Sequence, residues 1–216
     1  MVIRFLFLFF IVSPSLRAFE EDLLRKVRSI ENADIQTAMV VGERVGSFVA
    51  PGLGIFPYAF YSAFSKTKKH EEVLSMWRDA AEAMVLSTGV TWITKSAVGR
   101  ARPYMNKGAW GFSPFTGSSD YFAFPSGHTS VSWSVLSVLS HYSSDWVGPV
   151  FFYSLATLAG VSRIYDNKHW ATDVVAGALI GYYSAQWAVN NEKKFGMFAE
   201  LYPVVGAQKV GFLARF

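Results

Sequence analysis

Residues 124–144 read Phe-Pro-Ser-Gly-His-Thr-Ser-Val-Ser-Trp-Ser-Val-Leu-Ser-Val-Leu-Ser-His-Tyr-Ser-Ser, with no Asp, Glu, Lys or Arg anywhere in the stretch. Pro125 and Gly127 punctuate its start, and the run after them predicts a helix over Thr129–Ser144. Two more uncharged or nearly uncharged helical stretches follow, Trp146–Arg163 and Asp173–Asn190. Upstream, Met76–Val98 reads as a helix, polar at Arg78, Asp79 and Glu82 and then apolar through Thr94. Between it and Phe124 lies a long loop, Tyr104–Phe124, rich in Gly, Ser and aromatic residues.

Further out the pattern changes. Val45–Ser65 carries no charge and contains Gly46, Pro51, Gly52, Gly54 and Pro57, so it reads as a spanning segment with a bend. Lys66–His70 is a short basic loop. Glu20–Arg44 is charged with scattered apolar residues, and predicts an amphipathic helix over the core or on a membrane surface. The tail 201–216 alternates apolar residues around Gly206 and Gly211 and predicts a short strand or packed extension. There is no repeat and no low-complexity tract. The reading is an all-α membrane bundle of about five to six helices, its functional end at the outer ends of the helices. Each uncharged stretch is near the lower length limit for spanning, so a soluble all-helical protein is the alternative.

Composition narrows the function classes. The 216 residues are 51% hydrophobic and 17% aromatic, richer than an ordinary soluble domain. A net charge of +4, with no basic run interleaved with aromatics, gives no case for nucleic acid. The absence of cysteine excludes thiol catalysis, disulfides and thiolate metal sites. At the N-terminus, Arg4, the apolar run Phe5–Val12, Pro14 and the small residues near Ala18 read as an export signal over 1–18 or a short first membrane helix. The helical domain is then 19–200, and the mature chain starts outside the cytoplasm.

Three clusters carry chemistry. Lys95 and Arg102, followed by Pro103, are spaced two turns apart if the helix continues to Pro103, and two cations on one face suit a dianionic phosphate. Cations at a membrane helix end also simply meet head groups. Ser126-Gly127-His128 opens a helix, where backbone N–H groups and the macrodipole favour an anion. There Ser126 adds a donor, Gly127 allows close approach and His128 can protonate a leaving oxygen; a capped helix with a structural histidine is the plainer reading. Ser162-Arg163 precedes His169 and Asp173, whose i, i+4 spacing lets the carboxylate orient the imidazole. A surface ion pair or a metal site has the same spacing, and so do His141 and Asp145. No carboxylate cluster accompanies the histidines to complete a metal site.

Together, Lys95–Arg102-Pro103, Pro125-Ser126-Gly127-His128 and Ser162-Arg163–His169–Asp173 resemble the signature of the type 2 phosphatidic acid phosphatase superfamily. That superfamily also includes bacterial acid phosphatases, glucose-6-phosphatase and vanadium haloperoxidases. The resemblance runs from about Met76 to Asn190 with no departure at a motif residue. It implies a phosphatase with His169 as the nucleophile that forms a phosphohistidine and Asp173 as its orienting partner. His128 would be the acid for the leaving group and then the base for water. Lys95, Arg102, Arg163, Ser126 and Gly127 would form the phosphate cradle, with no metal or other cofactor. The expected substrate is a lipid phosphate at a bacterial inner membrane: phosphatidylglycerophosphate, phosphatidic acid, a polyprenyl diphosphate or a lipid A phosphate. Antiparallel spanning helices put all the motif residues on one side, expected to be the periplasm. A soluble periplasmic acid phosphatase, a vanadium haloperoxidase and a non-enzymatic membrane protein are the competing readings.

Overall fold

The computed structural model describes residues 14–50, 52, 68–191, 200–206 and 209–215. Among them are six α-helices: α1 (Pro14–Arg28), α2 (Ala33–Ala50), α3 (Lys68–Val98), α4 (Gly127–His141), α5 (Val147–Tyr165) and α6 (Ala171–Asn190). Two strands, β1 (Glu200–Gly206) and β2 (Lys209–Arg215), pair antiparallel as a hairpin. The fold is all-α, as expected.

Local chemistry sets the helix ends. Arg25, Lys26 and Arg28 close α1, where cations complement the helix dipole. Asn32 then caps α2 by accepting from the Asp34 and Ile35 N–H groups at 2.9 and 3.1 Å. The charged segment expected as one amphipathic helix over Glu20–Arg44 is therefore two helices broken at Ser29–Asn32. Val45–Ala50 completes α2, and the remainder of the expected bent span falls largely outside the described residues. So does the apolar run Phe5–Val12. Helix α1 passes through Ala18 without interruption.

Helix α3 begins at Lys68, eight residues before the expected Met76, and absorbs part of the basic loop. It stops at Val98 because Gly99 turns into the left-handed region, φ 58°. A Cβ at Gly99 would lie 2.1 Å from the Ser113 carbonyl oxygen, so only glycine fits that turn. The helix ends at Val98 as expected, and the helical spacing expected for Lys95 and Arg102 does not hold: Lys95 lies on the last turn and Arg102 lies beyond it in extended backbone, φ −69°, ψ 150°.

Helix α4 is the centre of the bundle and packs against α2, α3, α5 and α6. Its buried face is small and hydroxylic, with Ser130, Ser132, Ser134, Ser137 and Ser140 among Val135, Leu136, Val138 and Leu139. Small residues let helix backbones approach, and hydroxyls bond across the gap. Thr91 donates to Ser130 Oγ at 2.8 Å and Ser87 to Ser134 Oγ at 3.1 Å, tying α3 to α4. On α6, Gly177 and Gly181 face α4 so closely that added Cβ atoms would stand 2.5 and 2.3 Å from the Ser126 and Ser130 carbonyl oxygens.

The outer faces are apolar. Val40, Val41 and Phe48 on α2, Trp92 and Ile93 on α3, Val150 and Phe151 on α5 and Leu179 and Tyr183 on α6 are all exposed. Among the described residues one helix, α5, is long and apolar enough by itself to cross a membrane.

Candidate active site

The C-terminal ends of α3 and α5 and the N-terminal ends of α4 and α6 converge at one end of the bundle. Because successive helices run antiparallel, the three sequence clusters meet there. Ser126 Nα donates to the Asp173 carbonyl at 2.9 Å, stitching the start of α4 to the start of α6.

His169 lies in the turn between α5 and α6, buried at 2% exposure. Its Nδ1 is 2.7 Å from the Ala123 carbonyl oxygen. A carbonyl only accepts, so Nδ1 carries the hydrogen and Nε2 holds the lone pair. The Asp173 Oδ2 is 3.6 Å from Nδ1. The expectation that Asp173 shares a helix face with His169 and takes its ring proton is therefore corrected on two counts. His169 precedes α6, and its direct acceptor is a backbone carbonyl. Asp173 contributes charge from slightly further away, because its own oxygens are engaged. Oδ2 accepts from the Trp170 N–H at 2.7 Å, which caps α6, and Oδ1 accepts from Arg100 Nη1 at 2.6 Å. Burial pushes the His169 imidazole down to about 4, against the opposing pull of Asp173.

Four cationic side chains lie at this end of the bundle, and they divide into two kinds. Arg163 is buried; its Nη1 pairs with Asp166 at 3.1 Å, while its buried Nε has no hydrogen-bond partner. Lys95 Nζ donates to the Phe122 carbonyl at 2.6 Å, and Arg102 Nε to the Ser119 carbonyl at 2.9 Å. The fields of Lys95 and Arg102 both reach His169. These three retain N–H groups for an anion. In the fourth, Arg100, every side-chain nitrogen donates to a protein partner: Asp173, Thr172, Glu20 and the Ala109 carbonyl.

Ser126 is buried at the N-cap of α4 and accepts from the Thr129 hydroxyl at 2.9 Å. Gly127 leaves room beside Lys95, whose Cε would be 3.6 Å from an added Cβ. His128 is half-buried and feels the charge of Arg163. It packs on α2, where a Cβ at Gly46 would come within 3.3 Å of the ring. His128, Gly127 and Lys95 line one end of a groove of about 410 Å³ that continues over Thr88, Thr91, Trp92, Val131, Gly46 and Ser47.

All eight motif residues named from the sequence thus lie at this end, whereas His141 sits in the last turn of α4, at the opposite end. The sequence reading passed over Arg100, Glu20, Thr172 and Ala123. Arg100 stands inside the first motif and was legible as a third cation there. Glu20 and Ala123 left no local signal, since their partners are 80 and 46 positions away.

An imidazole with a free Nε2, a second imidazole and three cations with N–H groups to spare can hold a tetrahedral dianion and exchange its apical ligands. Comparison with known proteins agrees with this geometry. A lipid A 1-phosphatase of Rhizobium johnstonii is 32% identical over 91 residues, 41% of this chain and 36% of that protein. A lipid A 1-phosphatase of Porphyromonas gingivalis is 35% identical over 104 residues, 47% of this chain and 20% of that protein. The chain therefore spans well under half the length of these relatives. The crystal structure of Aquifex aeolicus LpxE superposes with a TM-score of 0.59 at 22% identity, covering 79% of this chain and 94% of the other. A transmembrane PAP2 type phosphatidylglycerolphosphate phosphatase of Bacillus subtilis gives 0.56 at 23% identity, covering 88% and 96%. Residues 77–196, more than half of the chain, match the PAP2 superfamily, and the protein belongs to it.

Proposed function

We propose that this protein is a membrane lipid phosphatase that passes a phosphoryl group from a lipid phosphate to His169 and then to water. The observation that carries the proposal is the setting of His169: buried, its Nδ1–H committed to the Ala123 carbonyl so that Nε2 keeps its lone pair, and the charges of Lys95 and Arg102 reaching it. Nε2 attacks phosphorus in line while the P–O bond to the lipid breaks and the leaving oxygen takes a proton from His128. Water then attacks phosphorus as His128 takes its proton, the P–N bond breaks, and the electron pair returns to Nε2. Lys95, Arg102, Arg163 and the α4 N-terminus hold the equatorial oxygens, so charge neutralisation falls to side chains and no metal enters the proposal.

The lipid part of the proposal draws support from the outer apolar faces and from the groove. Its lining includes Trp92 and Val131, apolar surface for a chain whose phosphate sits at Lys95 and His128. Two relatives are lipid A 1-phosphatases, which supports a lipid A phosphate among the expected substrates, to be compared with phosphatidylglycerophosphate, phosphatidic acid and polyprenyl diphosphate. We place the protein in a bacterial inner membrane with this site facing the periplasm. The test is phosphate release by detergent-purified protein from these lipids, with and without chelator. The proposal expects turnover of at least one lipid, unaffected by chelation and blocked by vanadate, which mimics in-line geometry. Activity confined to water-soluble phosphate esters, or abolished by chelator and restored by a divalent ion, contradicts it.

A further inference from the structure

Glu20 is one of the most deeply buried charged residues in the protein, at 1% exposure, and it comes from α1, outside the segment matched to the superfamily. Its Oε2 accepts from Arg100 Nη2 at 2.5 Å. Its Oε1 accepts from the Thr172 N–H at 3.0 Å and from the Thr172 hydroxyl. That hydroxyl in turn accepts from Arg100 Nη1 at 2.7 Å. The guanidinium is held between the indoles of Trp110 and Trp170, each centroid 5.6 Å away.

Arg100 governs both acceptors that set His169. Its side chain binds Asp173 Oδ1, and its backbone carbonyl accepts from the Ala123 N–H at 3.0 Å, fixing the carbonyl that receives His169 Nδ1–H. Two carboxylates share one guanidinium. With Glu20 present, Arg100 cannot fully neutralise Asp173, and the Glu20–Arg100–Asp173 group keeps one net negative charge on the Nδ1 side of His169. That charge has a use, because the imidazole becomes cationic as its Nε2 bonds to phosphorus.

We propose that Glu20 is a positioning residue of the phosphatase site, acting through Arg100 on Asp173 and Ala123 to orient His169 and to stabilise its cationic phosphorylated form. The proposal rests on the functional reading above. Because Glu20 touches no part of the groove, it acts on the chemical step and leaves substrate binding alone.

The test is steady-state turnover of a lipid phosphate by Glu20→Gln and Glu20→Asp, beside His169→Ala. Glu20→Gln keeps the shape and removes the charge. Its kcat is expected to fall roughly 10–100-fold, the usual loss for a partner one step removed from the reacting group, with KM within about twofold of the parent. Glu20→Asp restores the charge and is expected to recover a large part of the kcat. A folded Glu20→Gln variant with parental kcat, or one whose loss lies in KM, overturns the proposal. If Glu20→Gln does not fold, Thr172→Val decides: it removes one Glu20 anchor but no charge, and the same kcat-only loss is expected, an unchanged kcat being contrary. Turnover surviving in His169→Ala would overturn the functional reading itself. An inactive His169→Ala beside a fully active Glu20→Gln would overturn only the role of Glu20.

Discussion

At His169 two effects oppose each other. Burial drives the imidazole toward its neutral form, and the Asp173 carboxylate at 3.6 Å pulls the other way; burial wins, leaving the group near 4. The sign of the pH effect follows. Above that value Nε2 has its lone pair and can attack; below it the proton occupies the attacking position. The acid limb of kcat/KM, which reports the free enzyme, is therefore expected well below the ordinary imidazole value, at about 4. A pH profile of lipid phosphate hydrolysis checks this. An acid limb near 6.5 would instead show that the imidazole is solvated rather than buried as described.

At the scale of helices, the arrangement depends on close backbone contact between α4 and α6. Gly181→Val would bring side-chain atoms against the Ser130 carbonyl, where even a Cβ stands at 2.3 Å. The backbone on the other side cannot yield as a flexible side chain can. The expected loss is about 1–3 kcal/mol or more, read as a lower unfolding temperature in detergent. Activity should fall with it, because α4 carries His128 and α6 carries Asp173. The same scale shows what was legible in the sequence. Uncharged runs marked α4, α5 and α6 nearly to their ends, because apolar length and Gly/Pro punctuation are local properties. The end of α3 at Val98 was legible as well, but the spacing that put Lys95 and Arg102 on one helix face does not hold, because Gly99, four residues before Pro103, makes the turn. The motifs placed Lys95, His128, Arg163 and His169 together, since each lies at a helix end of matching direction. What ties them was not legible: Glu20 reaching Arg100 across 80 positions, and Ala123 reaching His169 from a loop. A backbone carbonyl has no side-chain identity to read, and one acid among several in a charged segment does not announce burial.

For the molecule as a whole, the proposal of a periplasmic site makes all four converging helix ends and the 104–124 loop lie on one side of the membrane. The chain has no cysteine, so a single introduced thiol reports sidedness. Thr116, exposed in that loop, is the better position, because its neighbour Gly117 has φ 68° and would strain any side chain. Thr116→Cys is expected to react with a membrane-impermeant maleimide in intact spheroplasts, and labelling only after lysis would put the site in the cytoplasm. The central claim, that the phosphoryl group passes through His169, is tested most directly by trapping the intermediate. Purified protein is mixed with a lipid phosphate carrying radiolabelled phosphorus, quenched with alkali within a turnover, and digested. A phosphoramidate is alkali-stable and acid-labile, so the account predicts label on the peptide containing His169, lost on acid treatment and absent from His169→Ala. Label that persists in His169→Ala, or turnover by His169→Ala at the parental rate, would contradict it.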